Sequence, residues 1–143
     1  MKPIHILLVE DNDGDILLIK EAFEDAKLAN TLSVVKDGEK AIYFLDKKEG
    51  FEDADTPDLV ILDVNLPRKN GHEVLQYIKT TESLKQIPVI MLTTSSSERD
   101  IIKSYKQHAN CYITKPVDVD NFLKAVLEIE KFWISLVQLP SKS

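Results

Sequence analysis

The run Leu59-Val60-Ile61-Leu62, set between Asp58 and Asp63, is apolar at every position. Successive side chains of a strand point to opposite faces, so a strand of this kind needs a sheet covered on both sides, as parallel sheets are. Ile4 to Val9, about Leu32 to Val35, Val89 to Leu92 and Cys111 to Ile113 have the same short apolar character. Between these runs, Ile16, Ile19 and Phe23, then Ala41, Ile42 and Leu45, then Val74, Leu75 and Ile78, then Ile101, Ile102 and Tyr105 recur at helical spacing. A last helix is expected from about Val119 to Trp133, with Phe122, Val126, Ile129, Glu130 and Trp133 on one side. Strand and helix alternate five times, a (βα)5 order, which predicts an α/β fold built on one doubly wound, five-stranded parallel sheet. The Thr93-Thr94-Ser95-Ser96-Ser97 patch falls in a βα loop, and Glu49 to Pro57 reads as an acidic surface connection. Neither divides the chain.

A length of 143 residues suits one domain that buries roughly two-thirds of its unfolded surface. No apolar stretch reaches the roughly 20 residues of a membrane span, and the start Met1-Lys2-Pro3 meets acids by Glu10, unlike a signal peptide. Cys111 is the single cysteine, so no internal disulfide can form and a reducing, cytoplasmic setting is expected. A net charge of -6 argues against direct DNA binding, which needs a basic face. His5, His72 and His108 lack metal-ligand spacing and read as surface or half-buried side chains.

Ligands of open parallel sheets bind at the carboxyl ends of the strands. At those ends stand Glu10 and Asp11 after the first strand, Asp63 at the third, Thr93 at the fourth and Thr114-Lys115-Pro116 at the fifth. Three carboxylates held together repel unless a cation lies among them, and oxygen ligands with room for water suit Mg²⁺. A calcium loop begun at Asp11 would need Gly and Glu where Ile16 and Ala22 stand, so the EF-hand is rejected. Asp13 or Asp15 could cap the following helix, Asp13 being favoured, but capping leaves Glu10 and Asp11 unexplained. A solvated strand end would explain that acidic pair alone; it does not explain Asp63, Thr93 and Lys115 in register with it.

The segments "ILLVEDN", "PDLVILDVNLPRKNG", "IPVIMLTTS" and "CYITKP" stand in order and at separations that resemble the receiver domain of two-component response regulators over nearly the whole chain. The resemblance implies the flavodoxin-like, CheY-like strand order 2-1-3-4-5. It implies that Asp63 accepts a phosphoryl group from a sensor histidine kinase, and that Glu10, Asp11, Asp63 and the backbone carbonyl of Asn65 hold Mg²⁺. Thr93 matches the switch hydroxyl, Tyr112 the switch aromatic, and Lys115 the site lysine, whose bond to Pro116 is cis in this family. Tyr112 reads equally as an ordinary half-buried strand aromatic. Pro67 and Gly71 shape the loop beyond Asp63. The chemistry suits these residue types, because transfer through a loose transition state mainly needs positioning and charge neutralisation around a carboxylate nucleophile. A receiver domain is thus expected over residues 1-130, signalling through the fourth helix and fifth strand to a partner protein, a further phosphotransfer step or self-association, with no output domain and no enzymatic turnover.

Rival readings are weaker. A haloacid-dehalogenase-type phosphatase wants a second Asp two residues after the nucleophile, where this chain has Asn65. A flavin binder needs a phosphate-cradling loop after the first strand, and the chain has only four glycines, none in such a loop. A receiver-like module that works without phosphorylation is opposed by the complete set of site residues. The tail over residues 131-143, "KFWISLVQLPSKS", carries Phe132, Trp133, Ile134, Leu136, Val137 and Leu139. It either covers the chain's own core or forms a homodimer arm. Its Phe-Trp and Leu-Pro elements resemble the endings of small response regulators that accompany bacterial and cyanobacterial phytochromes, and so imply a homodimer anchored by Phe132, Trp133, Leu136 and Leu139 and a kinase of the phytochrome type.

Overall fold

The computed structural model describes residues 3–25, 30–94, 106 and 108–129. Each apolar run is a strand: β1 (Ile4–Val9), β2 (Asn30–Val35), β3 (Leu59–Asp63), β4 (Val89–Thr93) and β5 (Cys111–Thr114). They form one sheet in the order β2-β1-β3-β4-β5, every neighbouring pair parallel. The expected doubly wound sheet and its strand order are therefore present. β2 starts two residues earlier than its apolar run, because Asn30 and Thr31 pair with Ile4 and His5 at the sheet's edge, where polar side chains are tolerated.

Alternation along the strands sorts the core into two layers. Leu7, Val9, Val60 and Leu62 face α2 (Gly38–Asp46) and α3 (Gly71–Thr80), packing on Phe44, Leu45, Leu75 and Ile78. Their neighbours Ile6, Leu8, Leu59 and Ile61 face α1 (Asp13–Asp25) and a helix over residues 119–129, packing on Ile19, Phe23, Phe122 and Val126. The central strands β3 and β4 are covered on both faces and carry no polar residue until their last, Asp63 and Thr93.

Side chains that stop the helices also fix the loops. Asn12, not Asp13, caps α1: Asn12 Oδ1 accepts the Asp15 N–H at 2.9 Å, while Asp13 is the helix's first residue and pairs with Lys36 at 2.7 Å. The amide one position earlier lies at the non-helical turn, where its oxygen can reach the orphan N–H groups of the first turn. Asp37 caps α2 through the Lys40 N–H at 2.7 Å, and Asn70 with Glu73 forms a capping box on α3. The connection over 49–57 is less superficial than its acids suggest, since Phe51 and Ala54 pack on the core and the Phe51 ring lies 5.4 Å from that of Phe44. His72 likewise departs from expectation and is buried.

The expected fourth helix at Ile101, Ile102 and Tyr105, and the tail with Phe132, Trp133, Leu136 and Leu139, lie outside the described residues. Among the described residues, no helix is long and apolar enough to cross a membrane. The face with α1 is closed by an edge-to-face contact between Phe23 and Phe122, ring centroids 5.6 Å apart. Truncating the fully buried Phe122 to alanine is expected to cost about 3–5 kcal/mol, read from urea unfolding as a lower midpoint at unchanged slope.

Candidate functional site

Parallel pairing brings the strand ends level. Val9 pairs with Leu62 and Asp63 with Leu92, so Glu10 and Asp63, each one residue beyond the first pair, emerge side by side. Thr93 pairs with Thr114, which sets Lys115 at the same edge, and the Lys115 N–H donates to the Thr93 carbonyl at 2.6 Å. Glu10, Asp63 and Thr93 are all buried, because the helices close over both sides of the sheet up to its last residues.

The Lys115 ammonium is the centre of the cluster. Its Nζ lies 2.5 Å from Glu10 Oε1, 3.0 Å from Asp15 Oδ2 and 3.2 Å from Asp63 Oδ2, and the lysine side chain is only 8% exposed. The Glu10 Oε1 contact is the shortest of the three and pairs the buried carboxylate directly with the ammonium. Glu10 Oε2 accepts the N–H groups of Asp11 and Asn12 at 3.1 and 3.3 Å. Asp63 Oδ1 accepts the Asn65 N–H at 3.2 Å, and the Asn65 amide donates to Thr94 Oγ1 at 3.1 Å across the mouth of the site. The Lys115–Pro116 peptide is cis.

The charges do not balance. Burial pushes the Glu10 carboxyl up to about 7, and the neighbouring Asp63 adds to the shift through a hydrogen bond and its charge, with Lys115 acting in the opposite sense. Burial alone would lower the Lys115 pKa, but the hydrogen bonds to Glu10 and Asp15 and the charges of Asp63 and Glu10 outweigh it and hold the ammonium above its ordinary value. One carboxylate oxygen each from Glu10, Asp11 and Asp63 lies within 4.8 Å of the others, with Asp11 exposed towards solvent. An all-oxygen set that is short of positive charge fits a hard divalent cation.

The structure thus brings together Glu10, Asp11, Asp63 and Lys115, with Thr93 at the same edge. Tyr112 is half-buried on β5, level with Met91, and packs on the α2 and α3 side of the core. Sequence reasoning missed Asp15 as a partner of Lys115. Its position in the first turn of a helix that starts at the carboxyl edge of β1 was the available signal.

The sequence matches the response regulator receiver domain over residues 6–127. The chain belongs to this family. Response regulator Rcp1 of Synechocystis sp. is 43% identical over 139 residues, covering 97% of this chain and 95% of the relative. The Mn²⁺-bound crystal structure of Rcp1 superposes with a TM-score of 0.81 at 44% identity, over 92% of this chain and 94% of that one. The phosphorylated cyanobacterial phytochrome response regulator RcpA gives the same TM-score of 0.81 at 44% identity, over 94% and 96%. The bacteriophytochrome response regulator RtBRR superposes at 0.80 and 40% identity, over 88% and 77%. The chain is thus a receiver domain similar to Rcp1, RcpA and RtBRR, and its acidic cluster fits the divalent-metal site of such domains.

A divalent cation that binds only the folded receiver raises its stability, by about 2.7 kcal/mol at a hundredfold excess over Kd. Thermal melts in rising Mn²⁺ or Mg²⁺ should show this shift. Asp11→Asn should need at least about tenfold more metal for the same shift, equivalent to about 1.4 kcal/mol of binding; identical titrations would remove Asp11 from the metal site.

Proposed function

We propose that the chain is a phosphoacceptor: Asp63 takes a phosphoryl group from the phosphohistidine of a sensor histidine kinase, in a reaction that requires Mg²⁺ held by Glu10, Asp11, Asp63 and the Asn65 backbone carbonyl. The observation that carries this reading is the buried Asp63 carboxylate, with the Lys115 ammonium 3.2 Å away and one oxygen each of Glu10 and Asp11 within 4.8 Å. A carboxylate oxygen of Asp63 attacks phosphorus as the phosphorus–nitrogen bond breaks, and the electron pair of that bond stays with the leaving imidazole. Lys115 stabilises the negative charge on the transferring oxygens, and the Thr93 hydroxyl, at the end of β4, donates to one of them. Bound Mg²⁺ supplies further positive charge to the same oxygens. The Asn65 N–H on Asp63 Oδ1 orients the nucleophile. At Asn65 an amide bonded to Thr94 replaces the acid that a phosphatase would use, which supports acceptance and slow loss of the group over turnover of a substrate.

On this reading the new charge draws Thr93 inward, Tyr112 moves with it, and the surface of the fourth helix and β5 changes its affinity for a protein partner. The similarity to RcpA and to the bacteriophytochrome regulator RtBRR supports a phytochrome-type kinase. A cytoplasmic setting agrees with a single cysteine, Cys111, and output through proteins agrees with a net charge of -6. We assign residues 131–143 to a dimer arm in which Phe132, Trp133, Leu136 and Leu139 meet a second copy, as such a dense apolar tail wants cover.

Incubation with acetyl phosphate and Mg²⁺ should add one phosphoryl mass to the intact protein and none to Asp63→Asn. Thr93→Ala should still gain the adduct yet lose the phosphorylation-dependent change in partner affinity. An adduct retained by Asp63→Asn would place the acceptor elsewhere. For the arm, light scattering of the whole chain should give a dimer at micromolar concentration, and truncation after Glu130 a monomer. Monomers in both cases would return the tail to its own core.

A further inference from the structure

The β3–α3 loop, residues 64–70, is what joins Asp63 to α3, and it is pinned at both ends. Val64 donates to the Leu92 carbonyl at 2.8 Å, and the Gly71 N–H returns to the Val64 carbonyl at 2.9 Å. The middle of the loop rests on a different element, the first turn of α2. The Pro67 carbonyl accepts the Lys69 N–H at 2.8 Å and the Gly38 N–H at 3.3 Å, and Arg68, in the left-handed region at φ 70, places its guanidinium 3.8 Å from Asp37, the α2 cap. A Cβ built on Gly38 would stand 1.9 Å from the Lys69 carbonyl oxygen and 2.7 Å from the Lys69 Cβ. The obstacle at 1.9 Å is backbone, so any side chain at 38 must push the loop away from α2.

We propose that Gly38 is a positioning residue for the phosphoryl and metal site, although it lies on α2 and touches no site residue that sequence reasoning selected. It sets how deeply the Pro67–Lys69 turn seats, and this fixes the Asn65 backbone, whose N–H orients Asp63. The inference rests on the reading that Asp63 and the Asn65 carbonyl serve metal binding and phosphoryl acceptance. With the loop tied at Val64 and Gly71, and Asn70 held to α3 by its capping box with Glu73, an outward shift at 67–69 is left to 65–66 to absorb. The same tie runs in reverse: metal bound at the site steadies the loop, and so holds the Gly38 N–H on the Pro67 carbonyl.

The test compares Gly38→Ala with Gly50→Ala. Gly50 has φ 98 and nothing within 4 Å of a built Cβ, so its substitution strains the backbone without pressing on the loop. Gly38→Ala should bind Mg²⁺ about tenfold more weakly, the size of effect usual for groups that support metal ligands. Its phosphorylation by acetyl phosphate should be slow at low Mg²⁺ and recover as Mg²⁺ saturates, while Gly50→Ala keeps the wild-type Mg²⁺ affinity at reduced stability. Hydrogen exchange on the unmodified chain is the second measurement and needs no variant: Mg²⁺ should slow exchange of the Gly38 amide. Wild-type Mg²⁺ affinity in a folded Gly38→Ala, or a Gly38 amide indifferent to Mg²⁺ that slows the Asn65 amide, overturns the positioning role. Absence of any adduct on wild-type Asp63 defeats the phosphoacceptor reading itself, and is thereby distinguished from a wild type that is phosphorylated beside a Gly38→Ala of unchanged Mg²⁺ affinity.

Discussion

One ammonium holds the carboxyl edge of this sheet together. Lys115 Nζ lies within 3.2 Å of oxygens from Glu10, Asp15 and Asp63, which arrive from β1, α1 and β3 while the lysine arrives from β5. Taking charges out of water costs several kcal/mol each, and mutual attraction repays this only with good geometry. The geometry is supplied by parallel strands whose registers bring four chain segments level. The compensation is still incomplete, because the acids outnumber the lysine and Glu10 is driven towards its neutral form.

Such a deficit persists only if the rest of the fold over-determines it. The two-layered core does so: Leu62 and Val9 below one face and Ile61 and Leu8 below the other leave the strand ends no room to splay and relieve the repulsion. The rigid frame turns a local shortage of positive charge into an affinity for a cation. It also confines the response to added charge to the loops above the strands. Lys115 cannot retreat without leaving buried carboxylates unpaired, a loss larger than a loop rearrangement usually costs.

The frame was legible because its physics is local in sequence. Continuous apolar runs, helical spacing between them and acids just past the strands are each visible within ten residues, and the rule that parallel sheets bind ligands at their carboxyl ends converts them into a site. Asp15 was less visible, since its acid also suited a helix cap; only the approach of β5 to α1 shows that it reaches Lys115. Asn12 took the capping role from Asp13 because the helix begins one residue earlier than the acids suggest. Gly38 was invisible for a different reason. Nothing in "KDGEK" separates an ordinary glycine beside a cap from one under another loop's carbonyl, because the close approach belongs to Lys69, thirty-one positions away.

That separation bears on how a receiver site can speak to distant surfaces. The strands are held on both faces, so the movable elements at the site are those tied by a few backbone hydrogen bonds. Of the described loops, the one from Val64 to Asn70 both touches Asp63, through the Asn65 N–H, and leans on another helix, through Gly38 and Asp37. Asn65 also joins it to Thr94 at the end of β4, so two loops are linked over the same carboxylate. Two routes thus lead away from Asp63, a side-chain one towards β4 through Asn65 and Thr94 and a backbone one towards α2 through Pro67 and Gly38. The α2 route contains a contact with no side chain to yield, because glycine meets a carbonyl there. Stiff contacts of this kind transmit small shifts that flexible side chains would absorb, and this is the physical basis of the positioning role proposed for Gly38.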